Sequence, residues 1–109
     1  MVDLEFTEIT MAGVQYLEIW LKENGYESIS IDSWMPGLAE IKADSKGGDN
    51  ILLQARTVLH PNEQYQLNGT DKFALKDLAL RLGRTPYVAY LIIDEDKNLI
   101  GDINWERLI

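Results

Sequence analysis

The chain has 109 residues, 46% hydrophobic and 26% charged, with a net charge of −8 and no cysteine. One ordinary globular domain over residues 1–109 is expected at that size, with a core large enough to need no staples. Disulfides and thiolate metal sites are excluded outright. No apolar stretch approaches the roughly 18 residues of a membrane span and no basic segment precedes an apolar one, so the expectation is no membrane and a cytoplasmic address.

The first element is a helix. Met11, Val14, Leu17 and Leu21 recur at helical spacing, Tyr16 and Trp20 widen the stripe, and Glu18 precedes Lys22 by four residues. Thr7 or Thr10 is the expected N-cap, and Gly25 the residue that ends the helix. Ser28-Ile29-Ser30-Ile31 alternates as a half-buried strand does, and Met35-Pro36-Gly37 breaks it. Ala39, Ile41 and Ala43 form the apolar side of a second strand, with Glu40 and Lys42 on the other side. The run Asp44 to Asn50 has the composition of a turn, and a third strand from Ile51 to Val58 completes a hairpin with the second.

After a break at His60-Pro61-Asn62, a second helix is expected. Thr70 or Asp71 caps it, Leu75, Leu78, Ala79 and Leu82 line one face, and Gly83 and Pro86 close it. Tyr87 to Ile93 is an apolar run whose length and flanking turns predict a central strand buried on both faces. Asp94 to Asn98 turns the chain into a last strand over Leu99 to Trp105. The order is therefore α-β-β-β-α-β-β, an α/β domain with a central mixed sheet flanked by two helices.

Within that order, the third strand carries Gln54-Ala55-Arg56, with Gln54 and Arg56 on one face. The layout resembles the core of the PD-(D/E)XK nuclease superfamily, the restriction-endonuclease-like domains that include archaeal Holliday-junction resolvases and Mrr-type restriction enzymes. The resemblance implies two acidic or amide residues on the second and third strands that hold Mg²⁺ or Mn²⁺, and a lysine two residues on that stabilises charge or orients water. Gln54 matches the Mrr-type variant. Arg56 stands for the lysine, keeping its charge without its ability to move a proton. Ala39 falls where the metal-binding aspartate belongs and has no ligand oxygen. On the first helix, Gln15 and Glu18 are nearest to the glutamate of many relatives. Glu40, one residue along from Ala39, joins Gln54 as a metal ligand only if a bulge turns it to the same face.

The resemblance thus implies a degenerate site of Glu40, Gln54 and Arg56, and a nuclease-like domain that acts as a binding or assembly module. The rival is a divalent-metal-dependent DNA endonuclease with an atypical site. Bulk charge disfavours a nucleic-acid partner, although the window from Lys42 to Arg84 is locally +2 against −10 for the remainder. A homodimer or other protein partner is expected, because the last strand is a candidate sheet edge and the chain closes on the apolar Trp105-Glu106-Arg107-Leu108-Ile109.

Other residues carry less. His60 is the only histidine, so no triad or histidine metal site can form around it. Ser45 to Asn50 lacks the ending of a P-loop. Asp94, Glu95 and Asp96 read as a solvated turn without calcium-loop spacing. Trp34, Tyr65, Tyr90 and Trp105 are candidates for a base-stacking platform or, more simply, for core packing.

Overall fold

Two helices pack on opposite faces of one five-stranded sheet. The computed structural model describes residues 6–35, 38–62 and 67–109, in the order α1 (Phe6–Glu23), β1 (Tyr26–Met35), β2 (Leu38–Ser45), β3 (Ile51–Leu59), α2 (Gly69–Arg81), β4 (Thr85–Ile93) and β5 (Asn104–Arg107). The strands lie in sequence order, β1-β2-β3-β4-β5. β3 and β4 pair in parallel, and every other neighbouring pair is antiparallel. The expected α/β class, element order and mixed sheet are all present.

The parity of the strands decides where the core forms. Odd-numbered residues of β2, β3 and β4 turn toward α1. Ala39, Ile41, Ala43, Ile51, Leu53, Ala55, Ala89 and Leu91 form one buried cluster with Val14, Leu17 and Leu21. Leu17 and Leu21 are fully buried, each worth about 2 kcal/mol in apolar area removed from water. Even-numbered residues turn the other way, where Leu52, Val88 and Tyr90 meet Leu67, Leu75 and Ala79 of the α2 region. That second core spans β3 and β4, and α2 reaches beyond them only toward β5, through Lys72 and Glu106. The even face over β1 and β2 therefore lies beyond the reach of α2.

The close approach of α1 to β3 depends on Gly13. A Cβ there would overlap Oγ1 of Thr57 and sit 2.9 Å from its Cβ, so only glycine lets the helix lie this near the strand. Arg84 ties the far end of the sheet, donating to Asp44 Oδ1 at 2.7 Å and to the carbonyls of Ala43 and Ile51 at 3.2 Å.

Several expected boundaries move. α1 begins at Phe6, so Thr7 and Thr10 lie inside the helix rather than at its cap, and Thr10 is buried. β1 runs on to Met35, well past Ile31, and accommodates its extra residues through register shifts at Glu27/Ser30 and Asp32/Met35; Ser28 has φ 53°. The expected break at Pro36-Gly37 lies outside the described residues. Asp44 and Ser45 belong to β2, which narrows the turn to residues 46–50. The cap of α2 is Asn68, whose side chain accepts from the Asp71 N–H at 2.8 Å, while Thr70 and Asp71 sit in the first turn.

On that helix Leu75 and Ala79 are buried but Leu78 and Leu82 are 38% and 44% exposed, because the inward stripe is only as wide as the β3–β4 strip it covers. Gly83 ends the helix with φ 68°, and Pro86 belongs to β4. The last strand starts at Asn104, five residues later than expected. Leu99 joins the sheet through an isolated bridge to Ile93, and Gly101 with φ 72° bends the chain between Leu99 and Asn104.

Candidate functional site

The β2–β3 ladder brings the expected site residues together without any irregularity. Glu40 is the partner of Gln54, and Leu38 the partner of Arg56. Directly opposed residues in an antiparallel pair share a face, so Glu40, Gln54 and Arg56 all stand on the even face, away from α1. The bulge that Glu40 was expected to require is absent from this ladder. The expectation failed because it tied the active face to Ala39. In the register formed, Ala39 pairs with Ala55 and is buried on the α1 face.

The α1 candidates are therefore separated from this face by the sheet itself. Gln15 is exposed and lines a shallow groove with Ala12, Tyr16, Ile19 and Lys97. Glu18 pairs with Lys22 at 3.2 Å. Neither reaches Gln54. Asp32 of β1 does extend the row, since it is the partner of Glu40 on the other side. Across the even face run Asp32, Glu40, Gln54, Val88 and Glu106, one residue from each strand.

Two observations give this row chemical character. Gln54 Oε1 is buried with no hydrogen-bond partner, a state that costs about 1–3 kcal/mol for a neutral polar atom. The Glu40 carboxyl is held above its ordinary value, chiefly by burial; Lys42 pulls it back down and Asp32 pushes it up. Protonated, Glu40 offers an O–H donor on the same face as an acceptor that lacks one. Ionised, it offers a carboxylate oxygen on the same face as an amide oxygen.

Those two donors alone fit a divalent metal poorly. β2 presents Glu40 on this face while Ala39 is buried on the other, and Gln15 and Glu18 of α1 lie across the sheet. Among the described residues, no three Asp, Glu, His or Cys side chains converge on a point that could hold a metal ion. Mg²⁺ requires hard oxygen ligands near octahedral geometry, which one carboxylate and one amide do not define.

At the β4–β5 end of the same face lies a network that sequence reading did not find. Tyr90 OH donates to Glu106 Oε1 at 3.1 Å and accepts from the Leu67 N–H at 3.2 Å. Lys72 Nζ sits 2.8 Å from Glu106 Oε2. The Lys72 hydrogen bond holds the Glu106 carboxyl below its usual range; burial opposes this, and the Tyr90 hydroxyl assists it. The one legible signal was a tyrosine inside an otherwise apolar strand, whose hydroxyl needs a partner once buried.

No protein-family model matches the sequence, and comparison with curated proteins finds no relative.

The remaining candidates separate. Of the basic residues between Lys42 and Arg84, Lys72, Arg81 and Arg84 are paired with Glu106, Asp77 and Asp44. Trp105 and Tyr90 do not share a platform: Trp105 is opposite Ala89 on the α1 face, and Tyr90 is on the α2 face. The Trp34 side chain and Tyr65 lie outside the described residues. His60 is an exposed turn residue whose N–H donates to the Ile93 carbonyl. Asp94 Oδ1 accepts from the N–H groups of Asp96 and Asn98 at 2.9 Å, which accounts for it as a turn former. No helix among the described residues is long and apolar enough to cross a membrane.

Proposed function

We propose that this chain is a restriction-endonuclease-like domain that has lost the family's catalysis and serves as a binding or assembly module, with a protein partner or a second copy of itself. The reading rests on Ala39. The position expected to carry the metal-binding aspartate holds a methyl group buried at 2% exposure on the α1 face. The acid one residue on faces the opposite way, as β-strand alternation dictates. Glu40 does share the even face with Gln54 and Arg56, but among the described residues no third carboxylate or imidazole joins it to complete a metal site.

Support for a protein rather than a nucleic-acid partner comes from charge. The molecule carries −8 overall, and Lys72, Arg81 and Arg84 are already engaged with acidic partners. Support for self-association comes from β5, which ends the sheet with one edge unpaired by β4. Phe73, Leu80 and Leu82 of the α2 region are 71%, 55% and 44% exposed and add apolar surface.

A second reading, a divalent-metal-dependent DNA endonuclease using Glu40, Gln54 and Arg56, is favoured by one observation: the orphaned Gln54 Oε1 on the same face as Glu40. Calorimetric titration with Mn²⁺ separates the two. The module reading expects no heat beyond dilution and no cleavage of linear or branched DNA. Saturable binding in the micromolar range that Gln54→Ala abolishes would overturn it in favour of the enzyme. Sedimentation equilibrium at micromolar protein tests the homodimer, and a monomer there would remove it.

A further inference from the structure

On the α1 side of the sheet, opposite the Glu40 row's face, four aromatic rings from four elements line one pocket. Trp20 comes from the last turns of α1, Tyr26 opens β1, Tyr87 lies in β4 and Trp105 in β5. With Ile51 as a buried apolar floor they enclose a pocket of about 150 Å³. All four rings remain partly exposed, so the pocket opens to solvent.

Three of the rings brace one another through direct aromatic pairs and pack against the α1-side core. Tyr87 and Trp105 stand at 89° with centroids 6.4 Å apart, and Trp20 lies 4.6 Å from Trp105 at 43°. The corner between helix and sheet is fixed in advance. Asn24 donates to the Trp20 carbonyl through both its backbone N–H at 3.0 Å and its side-chain Nδ2 at 2.8 Å, and Gly25 makes the turn with φ 85°. Asp49 sets the sign of the field at the rim, accepting from Tyr26 OH at 3.4 Å. Two cations lie near. Arg84 reaches the Ile51 carbonyl but is neutralised by Asp44 at 2.7 Å. Arg107 is the β5 partner of Tyr87 and is exposed.

We propose that this pocket is a cation cage that binds a quaternary ammonium group, with Trp20, Tyr26, Tyr87 and Trp105 as its walls and Asp49 as its counter-charge. Aromatic faces carry negative quadrupole density, so three or four of them around one site attract a cation whose charge is spread over methyl groups and which is cheap to desolvate. A primary ammonium is held less well, because such a cage offers it few acceptors to replace its water. The inference is independent of the Glu40–Gln54 face and of any nuclease ancestry.

The test is titration of the full chain with choline and with its neutral isostere 3,3-dimethylbutanol, followed by tryptophan fluorescence and by chemical shifts of the indole N–H groups. Choline is expected to bind saturably in the millimolar range, with the neutral isostere about tenfold weaker. Asp49→Asn, an exposed turn substitution that leaves the rings in place, is expected to weaken choline about threefold. Trp105→Leu is expected to abolish binding, while Trp105→Phe, which keeps a ring, retains part of it and guards against simple unfolding. Equal affinity for choline and the isostere, or no saturable binding of choline, overturns the proposal. A short peptide bearing trimethyllysine, run beside choline, identifies whether the group is presented free or on a polypeptide.

Discussion

Glu40 stands directly opposite Gln54 in the β2–β3 ladder, on the sheet face that α1 does not cover. A carboxyl raised by burial thus shares a face with a buried amide oxygen that lacks a donor. The pair is expected to be more costly than an apolar one. Gln54→Met keeps the side-chain length and removes the orphaned acceptor. It should raise stability by about 1 kcal/mol, read as a higher urea midpoint at unchanged slope. A fall in stability would mean that the amide has a partner in solution.

Glu40 also sets a pH dependence of defined sign. Its pKa is raised in the folded state, so the folded protein binds the proton more tightly than the unfolded chain does. Stability is full below the ordinary carboxylate range and declines as pH rises through the elevated pKa of Glu40. Glu40→Gln should flatten that portion of the urea-midpoint profile. Lys42→Met should steepen it, because Lys42 opposes the upward shift. A carboxyl ¹³C titration of Glu40 checks the direction independently.

Glu106 is expected to behave in the opposite sense. Its carboxyl is lowered, first by the Lys72 hydrogen bond, so its contribution is present above the ordinary carboxylate range and disappears as pH falls through the depressed pKa. Tyr90→Phe removes the donor to Glu106 and leaves the Leu67 N–H without its acceptor. A loss of about 2 kcal/mol is expected by urea denaturation, together with a rise in the Glu106 pKa.

Gly13→Ala tests the helix–strand approach. The added methyl meets Thr57, which is itself 4% exposed and has nowhere to move. The expected cost is about 3 kcal/mol, and Thr57→Ala in the same chain should recover part of it. A neutral Gly13→Ala would show that α1 slides on the sheet.

Much of the fold was legible because the strands obey strict parity. Ala39, Ile41 and Ala43 announced the buried side of β2, and the run from Tyr87 to Ile93 announced a strand covered on both faces. The site was half legible. Gln54 and Arg56 share a face by spacing alone, but which residue of β2 joins them depends on the register between strands, and no local pattern encodes that. The cap of α2 was ambiguous for a related reason. Thr70 and Asp71 were the expected caps, but the helix starts earlier, at Asn68 beside Leu67, whose N–H bonds the Tyr90 hydroxyl. The late start of β5 turns on Gly101, whose positive φ no hydropathy pattern reveals. The aromatic pocket is assembled from residues 20, 26, 87 and 105, which no linear motif could join.

The sheet's single parallel pair divides the chain by the order in which its parts can assemble. β1, β2 and β3 are joined by tight connections and can zip together as a meander, whereas β4 reaches β3 only after a crossover that includes α2. Loop closure for that pairing comes before its reward, so docking of β4 is the natural barrier of folding. Substitutions in β4 and α2 such as Val88→Ala should slow refolding, and so should those in β1, which is already paired when β4 docks.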